Sequence, residues 1–221
     1  MSLFYTILYR IGFTPWEEGL AQDSVAAQIN ALFEREECGR KPPYGRALDL
    51  GCGSGIHAVE LAKRGWQVTG IDIVPEALKR AHKRARLAGQ SLNLIQGDVT
   101  RLRDTGVGRD FRLILDFGTV HGLPMEKCRQ VGAQVSAVAN RDASLLVLAF
   151  EPGRRMLLPG GLNREQIGAI YPDWEITDDL SQDADLPPLL RYTRANPRWY
   201  RLRRRDERPI QECRRGLSGP A

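Results

Sequence analysis

Apolar positions come in two alternating rhythms along most of the chain. Arg46–Leu50 is a short apolar run that ends in a glycine cluster, and Ile56–Arg64 follows with apolar residues at helical spacing. Gln67–Ile73 reads as a strand, and Pro75–Ala88 as a helix with proline in its first turn and Gly89 behind it. Leu92–Gln96 alternates, Phe111–Phe117 is apolar, Pro124–Ala139 has helical periodicity, and Ala143–Glu151 is the most hydrophobic strand. Strands that are apolar on both faces and alternate with helices predict a parallel, doubly wound α/β sheet. Beyond Pro152 the rhythm changes: Asn163–Ile170 is a short capped helix, and Trp174–Thr177 and Tyr192–Arg203 read as an antiparallel pair at the sheet edge. Ahead of the sheet, Ser24–Glu37 is amphipathic and Cys38–Gly45 is a linker, while Met1–Phe13 reads as a helix rather than a secretion signal.

Composition narrows the class. At 221 residues with 42% hydrophobic positions, the chain can bury one sizeable core. The longest apolar run, Leu145–Phe150, is far below the ~18 residues a membrane span needs. Four cysteines (38, 52, 128, 213) make no CxxC pair, and His57, His82 and His121 offer no zinc pattern, so a cytoplasmic protein without structural metal is expected. The net charge of +5 is unevenly placed: residues 191–215 carry +7, leaving the remainder near −2. This describes a basic tail on a slightly acidic body, read as a solvated edge strand running into a frayed terminus.

The chemistry concentrates at strand ends. Asp49-Leu50-Gly51-Cys52-Gly53-Ser54-Gly55 makes a strand-to-helix turn whose glycines let backbone N–H groups approach a ligand. A dinucleotide fingerprint requires glycine at Ile56, and a phosphate loop requires Gly-Lys-Ser/Thr; neither is present. Asp72 closes the next strand, where a carboxylate can accept both hydroxyls of a ribose. Asp98 closes the third, within reach of an adenine amino group, and Asp116 the fourth, on the lip facing a reaction centre. Open α/β sheets bind ligands at these carboxyl ends.

Together these residues resemble the class I S-adenosylmethionine-dependent methyltransferases over roughly residues 24–205. The resemblance implies a seven-stranded, Rossmann-like sheet with a terminal antiparallel strand. It also implies S-adenosylmethionine as cofactor and S-adenosylhomocysteine as product. Asp49, Gly51, Cys52, Gly53 and Gly55 would surround the methionine moiety, with Asp72 and Ile73 at the ribose and Asp98 and Val99 beside the adenine. Residues 1–23 would form a helical lid and 206–221 a flexible basic tail.

Two segments bear on the methyl acceptor. Gly12-Phe13-Thr14-Pro15-Trp16-Glu17-Glu18-Gly19 and Asp116-Phe117-Gly118-Thr119-Val120-His121-Gly122-Leu123-Pro124 are similar to stretches of the thiopurine, thiol and halide methyltransferases. Glu17 stands where that family has aspartate, and Tyr5 and Tyr9 stand where it has paired tryptophans. By this resemblance Trp16 closes over the sulfonium, a cation suited to an indole face, and Phe117 lines the site. Trp16 equally fits an aromatic staple that packs the N-terminal helix on the core. Tyr9, Phe13, Trp16 and His121 are the candidate acceptor contacts. A thiol needs little base assistance at neutral pH, whereas an alcohol needs a positioned base. His121 is the candidate base, or else a polar loop or capping residue. The first-choice acceptor is a small thiol or sulfide, with oxygen or nitrogen methylation through His121 as the alternative. Less favoured are a nucleic-acid methyltransferase, since no [D/N]-P-P-[Y/F] follows the fourth strand, and a non-catalytic cofactor-binding protein.

Overall fold

A computed structural model of the chain describes residues 2–14, 17, 23–153, 160–181 and 197–205. Trp16, residues 182–196 and the basic tail 206–221 lie outside the described residues. Within them, α1 (Ser2–Ile11) and α2 (Asp23–Glu37) precede an alternating core. That core runs β1 (Arg46–Leu50), α3 (Ile56–Arg64), β2 (Gln67–Asp72), α4 (Pro75–Leu87), β3 (Asn93–Gln96), a 3₁₀ segment (Val99–Thr105) and β4 (Phe111–Phe117). A one-turn 3₁₀ helix (Val120–Gly122), α5 (Met125–Val138), β5 (Ala139–Phe150), α6 (Arg164–Ile170), β6 (Trp174–Ser181) and β7 (Pro197–Arg204) complete it.

The seven strands form one sheet in the order β3-β2-β1-β4-β5-β7-β6. The first five are parallel, and β7 runs antiparallel to both β5 and β6. Side-chain alternation splits the apolar strands between two cores. Leu48, Ile114, Leu145 and Val147 pack with Val131 and Val135 of α5, together with Ile167, Tyr171 and Trp174. Ala47, Leu113, Leu115, Leu146 and Leu148 pack on the other face with Val25, Ile29 and Phe33 of α2 and Leu61 of α3. A third, smaller cluster seats Tyr9 of α1 on Val74 and Ala77.

Two boundaries and one placement differ from the sequence expectation. Strand β5 begins at Ala139, directly behind α5, because Val138 is the last helical residue and no turn separates the two. Strand β6 extends to Ser181 because it pairs with β7 over its whole length. The arginine-rich strand is not a solvated edge; β7 lies between two partners, and its arginines are engaged within the fold. Arg198 donates to Asp179 and Glu151, and Arg204 donates to the carbonyls of Ser136 and Ala139. Arg201 pairs with Glu36 of α2, which is 6% exposed and also accepts the Ser144 hydroxyl. Arg203 donates to Ser144 at 2.7 Å and stands 3.8 Å from Glu36. The charge that looked like a basic surface thus ties α2 to the β5–β7 pair. Among the described residues no helix is long and apolar enough to cross a membrane.

The register brings the carboxyl ends of the strands level. Leu50 lies opposite Ile71 on one side and Asp116 on the other, and Asp72 lies opposite Gln96. The loops after β1, β2, β3 and β4 therefore leave the sheet at one rim.

Glu36→Ala strands Arg201 and Arg203 next to a removed counter-charge. Loss of one partner from a buried ion pair costs about 3–5 kcal/mol. The urea midpoint is expected to fall accordingly with an unchanged slope; a loss below about 1 kcal/mol marks the network as a solvated surface one.

Candidate functional site

The loop between β1 and α3 sets the geometry of the rim. Gly51, Gly53 and Gly55 all have positive φ (59°, 53° and 75°), a backbone that side chains rarely adopt. Gly53 is required for space as well, because a Cβ there stands 2.6 Å from the Tyr9 hydroxyl and 3.2 Å from Glu17 Oε1. The Gly53 N–H donates to Asp72 Oδ2 at 2.9 Å, and the Val74 N–H donates to Asp72 Oδ1 at 2.8 Å. Arg84 of α4 reaches back to the Ser54 carbonyl and hydroxyl at 3.0 and 3.1 Å, fixing the turn from the other side.

Asp49 lies beneath this loop, nearly fully buried, and its Oδ2 has no hydrogen-bond partner. Burial first, then the charge of Asp72, pushes its carboxyl up to about 8, against the opposing pull of the Ala58 N–H in the first turn of α3. Asp72 is also raised, by burial, while its backbone N–H donors hold it down and Glu17 adds repulsion. Cys52 contributes backbone to the loop; its thiol is buried against Gly70 and pushed up, by burial and then by the charges of Asp49 and Asp72. Ile73, just past Asp72, is an exposed apolar side chain.

The other expected contacts separate into those at the rim and those beneath it. Asp98 stands at the end of β3 and caps the following 3₁₀ segment, its Oδ1 accepting the Thr100 N–H and hydroxyl at 2.9 and 2.8 Å. Val99 packs into the first core. Asp116 does not stand on the lip. It is wholly buried, with Oδ1 accepting the N–H groups of Thr119 and Val120 and Oδ2 accepting the Tyr171 hydroxyl at 2.8 Å. Both oxygens are used in folding the loop after β4, so Asp116 anchors that loop. Burial raises it to about 6, with the Tyr171 hydroxyl and the two N–H groups opposing. Phe117 stacks edge-on between His57 and Trp199, at 4.9 and 5.0 Å, and so packs on the α3 side of the sheet.

His121 is 9% exposed and lies parallel to the Phe150 ring at 4.9 Å. Its Nδ1 accepts the Phe150 N–H at 3.3 Å, so in the neutral ring the proton sits on Nε2, the nitrogen next to Gly118. That nitrogen donates; it does not accept a proton in this tautomer. Tyr9 is buried and points to the glycine loop, whereas Phe13 is largely exposed.

Arg84 and Tyr171 were not singled out in the sequence, where Glu17, Ser54 and Thr119 stood only inside motifs and without a role of their own. Thr119 donates its hydroxyl to the Leu50 carbonyl at 2.8 Å, tying the β4 loop to the β1 loop. Arg84 sat in a basic helical face, with nothing in its spacing to show which arginine turns inward. Tyr171 meets Asp116 across 55 residues, and no local pattern announces such a pair.

This arrangement matches known proteins over its central part. Residues 47–142 match the family described as a methyltransferase domain. The matched span opens on β1 and closes early in β5, so it contains the glycine loop, Asp72, Asp98 and Asp116 but neither Glu17 nor Tyr171. A 2-heptyl-1-hydroxyquinolin-4(1H)-one methyltransferase of Mycobacteroides abscessus is 30% identical over 138 residues, covering 62% of this chain and 56% of that protein. A ubiquinone biosynthesis O-methyltransferase of Roseobacter denitrificans is 29% identical over 172 residues, covering 72% and 68%. The chain thus spans just over half the length of the first and about two thirds of the second.

Solved structures share the fold across nearly the whole methyltransferase domain and its flanks. The 1,6-didemethyltoxoflavin-N1-methyltransferase of Burkholderia thailandensis superposes with a TM-score of 0.69 at 18% identity, over 93% of this chain and 87% of that one. The N-methyltransferase NodS of Bradyrhizobium japonicum, solved with S-adenosyl-L-homocysteine, gives 0.67 at 17% identity over 86% and 96%. The seven-stranded Rossmann-like sheet of these enzymes is the fold expected from the strand and helix pattern.

Asp116 has a raised carboxyl, so its contribution to stability is complete below pH ~4 and is lost as pH rises through about 6. Tyr171→Phe removes one donor to the ionised form and moves that loss further. Urea unfolding is expected to show a deficit of about 1.5–3 kcal/mol at pH 8 and a smaller one at pH 5. Equal deficits at both values would mean that the hydroxyl acts only through packing.

Proposed function

We propose that the chain is an S-adenosylmethionine-dependent methyltransferase acting on a small molecule. The observation that carries this reading is the pair Asp49 and Asp72, two carboxyl groups with no ion pair among the described residues, set around a loop whose three glycines, Gly51, Gly53 and Gly55, have positive φ. When bound, S-adenosylmethionine supplies an electrophilic methyl group on a sulfonium and leaves as S-adenosylhomocysteine. Asp72 accepts the ribose hydroxyls: each of its oxygens takes one backbone N–H and keeps a further lone pair. Ile73 would stand beside Asp72 at the ribose, and Asp98 Oδ2 would be left for the adenine amino group. Asp49 Oδ2 takes a donor from the methionine end. Trp16 would close over the sulfonium, and residues 1–23 would exclude water before transfer.

The first-choice acceptor is a thiol or sulfide. Transfer from a sulfonium is an in-line displacement, for which alignment and a nucleophilic lone pair are sufficient. A thiol ionises close to neutral pH without a base. His121, holding its proton on Nε2, suits that chemistry better than the deprotonation of an alcohol, which requires giving up the Phe150 N–H bond. The segment Asp116–Pro124 supports the same reading through its likeness to the thiol-directed enzymes. The second reading, oxygen or nitrogen methylation, is favoured by the similar proteins, which include O- and N-methyltransferases.

Release of S-adenosylhomocysteine at pH 7.5 across aryl and alkyl thiols, sulfide, iodide, catechols and amines tests the choice. Turnover on sulfur acceptors, retained in His121→Ala, is expected. Turnover confined to catechols or amines, and lost in His121→Ala, would overturn the sulfur assignment. In calorimetry, Asp72→Ala is expected to weaken cofactor binding by about 1–3 kcal/mol; unchanged affinity removes Asp72 from the ribose.

A further inference from the structure

We propose that Glu17, outside the matched methyltransferase domain, positions the ammonium end of the cofactor's amino-acid moiety. This rests on the cofactor reading above and extends the site to a residue upstream of the sheet. Glu17 Oε1 is fixed twice, accepting the Tyr9 hydroxyl at 2.7 Å and the Ser54 N–H at 3.1 Å. Among the described residues its Oε2 takes no hydrogen bond. One oxygen therefore holds the carboxylate on the glycine loop, and the other is left to accept a donor.

The electrostatics show which donor fits. Docking Glu17 on Ser54 brings a third carboxylate to a rim that already holds Asp49 and Asp72, and Glu17 repels Asp72 there. Asp49 is nearly fully buried, with Oδ2 unpartnered. None of the three forms an ion pair among the described residues. The neighbouring arginines have other work: Arg84 donates to the Ser54 carbonyl and hydroxyl, Arg80 to the Tyr9 carbonyl and Arg10 to Glu76. Carboxyl groups set together with no internal counter-ion oppose one another's ionisation, which helps hold Asp49 protonated near neutral pH, and a cation that arrives with the ligand favours their ionised forms. An ammonium has three N–H donors, and one that docks against the glycine loop would give one of them to Glu17 Oε2. Tyr9 acts through Glu17 by orienting it, which explains why a tyrosine hydroxyl lies over Gly53 with no room for a side chain there.

Calorimetry on Glu17→Gln tests the proposal with three ligands: S-adenosylmethionine, S-adenosylhomocysteine and 5′-methylthioadenosine, which lacks the amino-acid moiety. The expected result is about tenfold weaker binding of the first two and unchanged binding of the third. Tyr9→Phe should show the same pattern with a smaller loss. Equal weakening of all three ligands would make Glu17 a packing residue of the loop and overturn the proposal. So would unchanged or tighter binding of S-adenosylmethionine, which would make the carboxylate a plug. Weakening of S-adenosylmethionine alone would shift the contact to the sulfonium and overturn the ammonium assignment. If the unaltered protein binds none of the three, the cofactor reading falls, and this one with it.

Discussion

Burial of Asp49 beneath the loop it precedes is the constraint on which the rim depends. A carboxylate taken out of water with one oxygen unpartnered is expensive, and the protein meets that expense by holding it protonated near neutral pH. Its neighbours add to the strain rather than relieve it, since Asp72 and Asp116 both raise it further. Only the Ala58 N–H at the start of α3 opposes. The free protein is thus less stable at this rim than it could be, which is a common property of surfaces built to receive a ligand.

The rest of the structure keeps that rim in place. Arg84 holds Ser54 from α4, and Thr119 joins the β4 loop to Leu50. Asp116 and Tyr171 tie the β4 loop to the end of α6. These contacts come from helices and strands on both sides of the sheet, so the glycine loop is supported from several directions at once. The Glu36, Arg201 and Arg203 network fixes α2 against the far strands. The result is a rigid sheet end with a rim of carboxylates and a single helix, α1, laid over it through Tyr9.

The architecture was readable because each strand carries near-continuous apolar residues and each helix a clear stop, as at Gly89 after α4. The acids at 49, 72 and 98 were readable for the same reason, because strand ends can be located from periodicity alone. Asp116 was legible at the end of β4, but its bond to Tyr171 was not, since only the folded chain brings that hydroxyl in from 55 residues away. The arginines of β7 misled through charge counting: a sequence sum cannot tell a solvated guanidinium from one paired with Glu36 or Asp179. For His121 the sequence supplied the residue type, and the Phe150 N–H supplied the tautomer. Glu17 stood in the sequence only as part of a motif, and its contacts were not legible there because its partners Tyr9 and Ser54 meet only once α1 is docked.

A cationic cofactor bound beside the buried Asp49 would draw the proton off its carboxyl group. Proton exchange on binding reads this directly. Titrating S-adenosylmethionine into the protein at pH 7, in buffers of different ionisation enthalpy, reports the protons released per ligand bound. With Asp49 near 8 in the free protein, a bound cation favours its ionised form, so release approaching one proton is predicted, with Asp49→Asn releasing none. Binding without proton exchange, or with the same exchange in Asp49→Asn, would contradict the account.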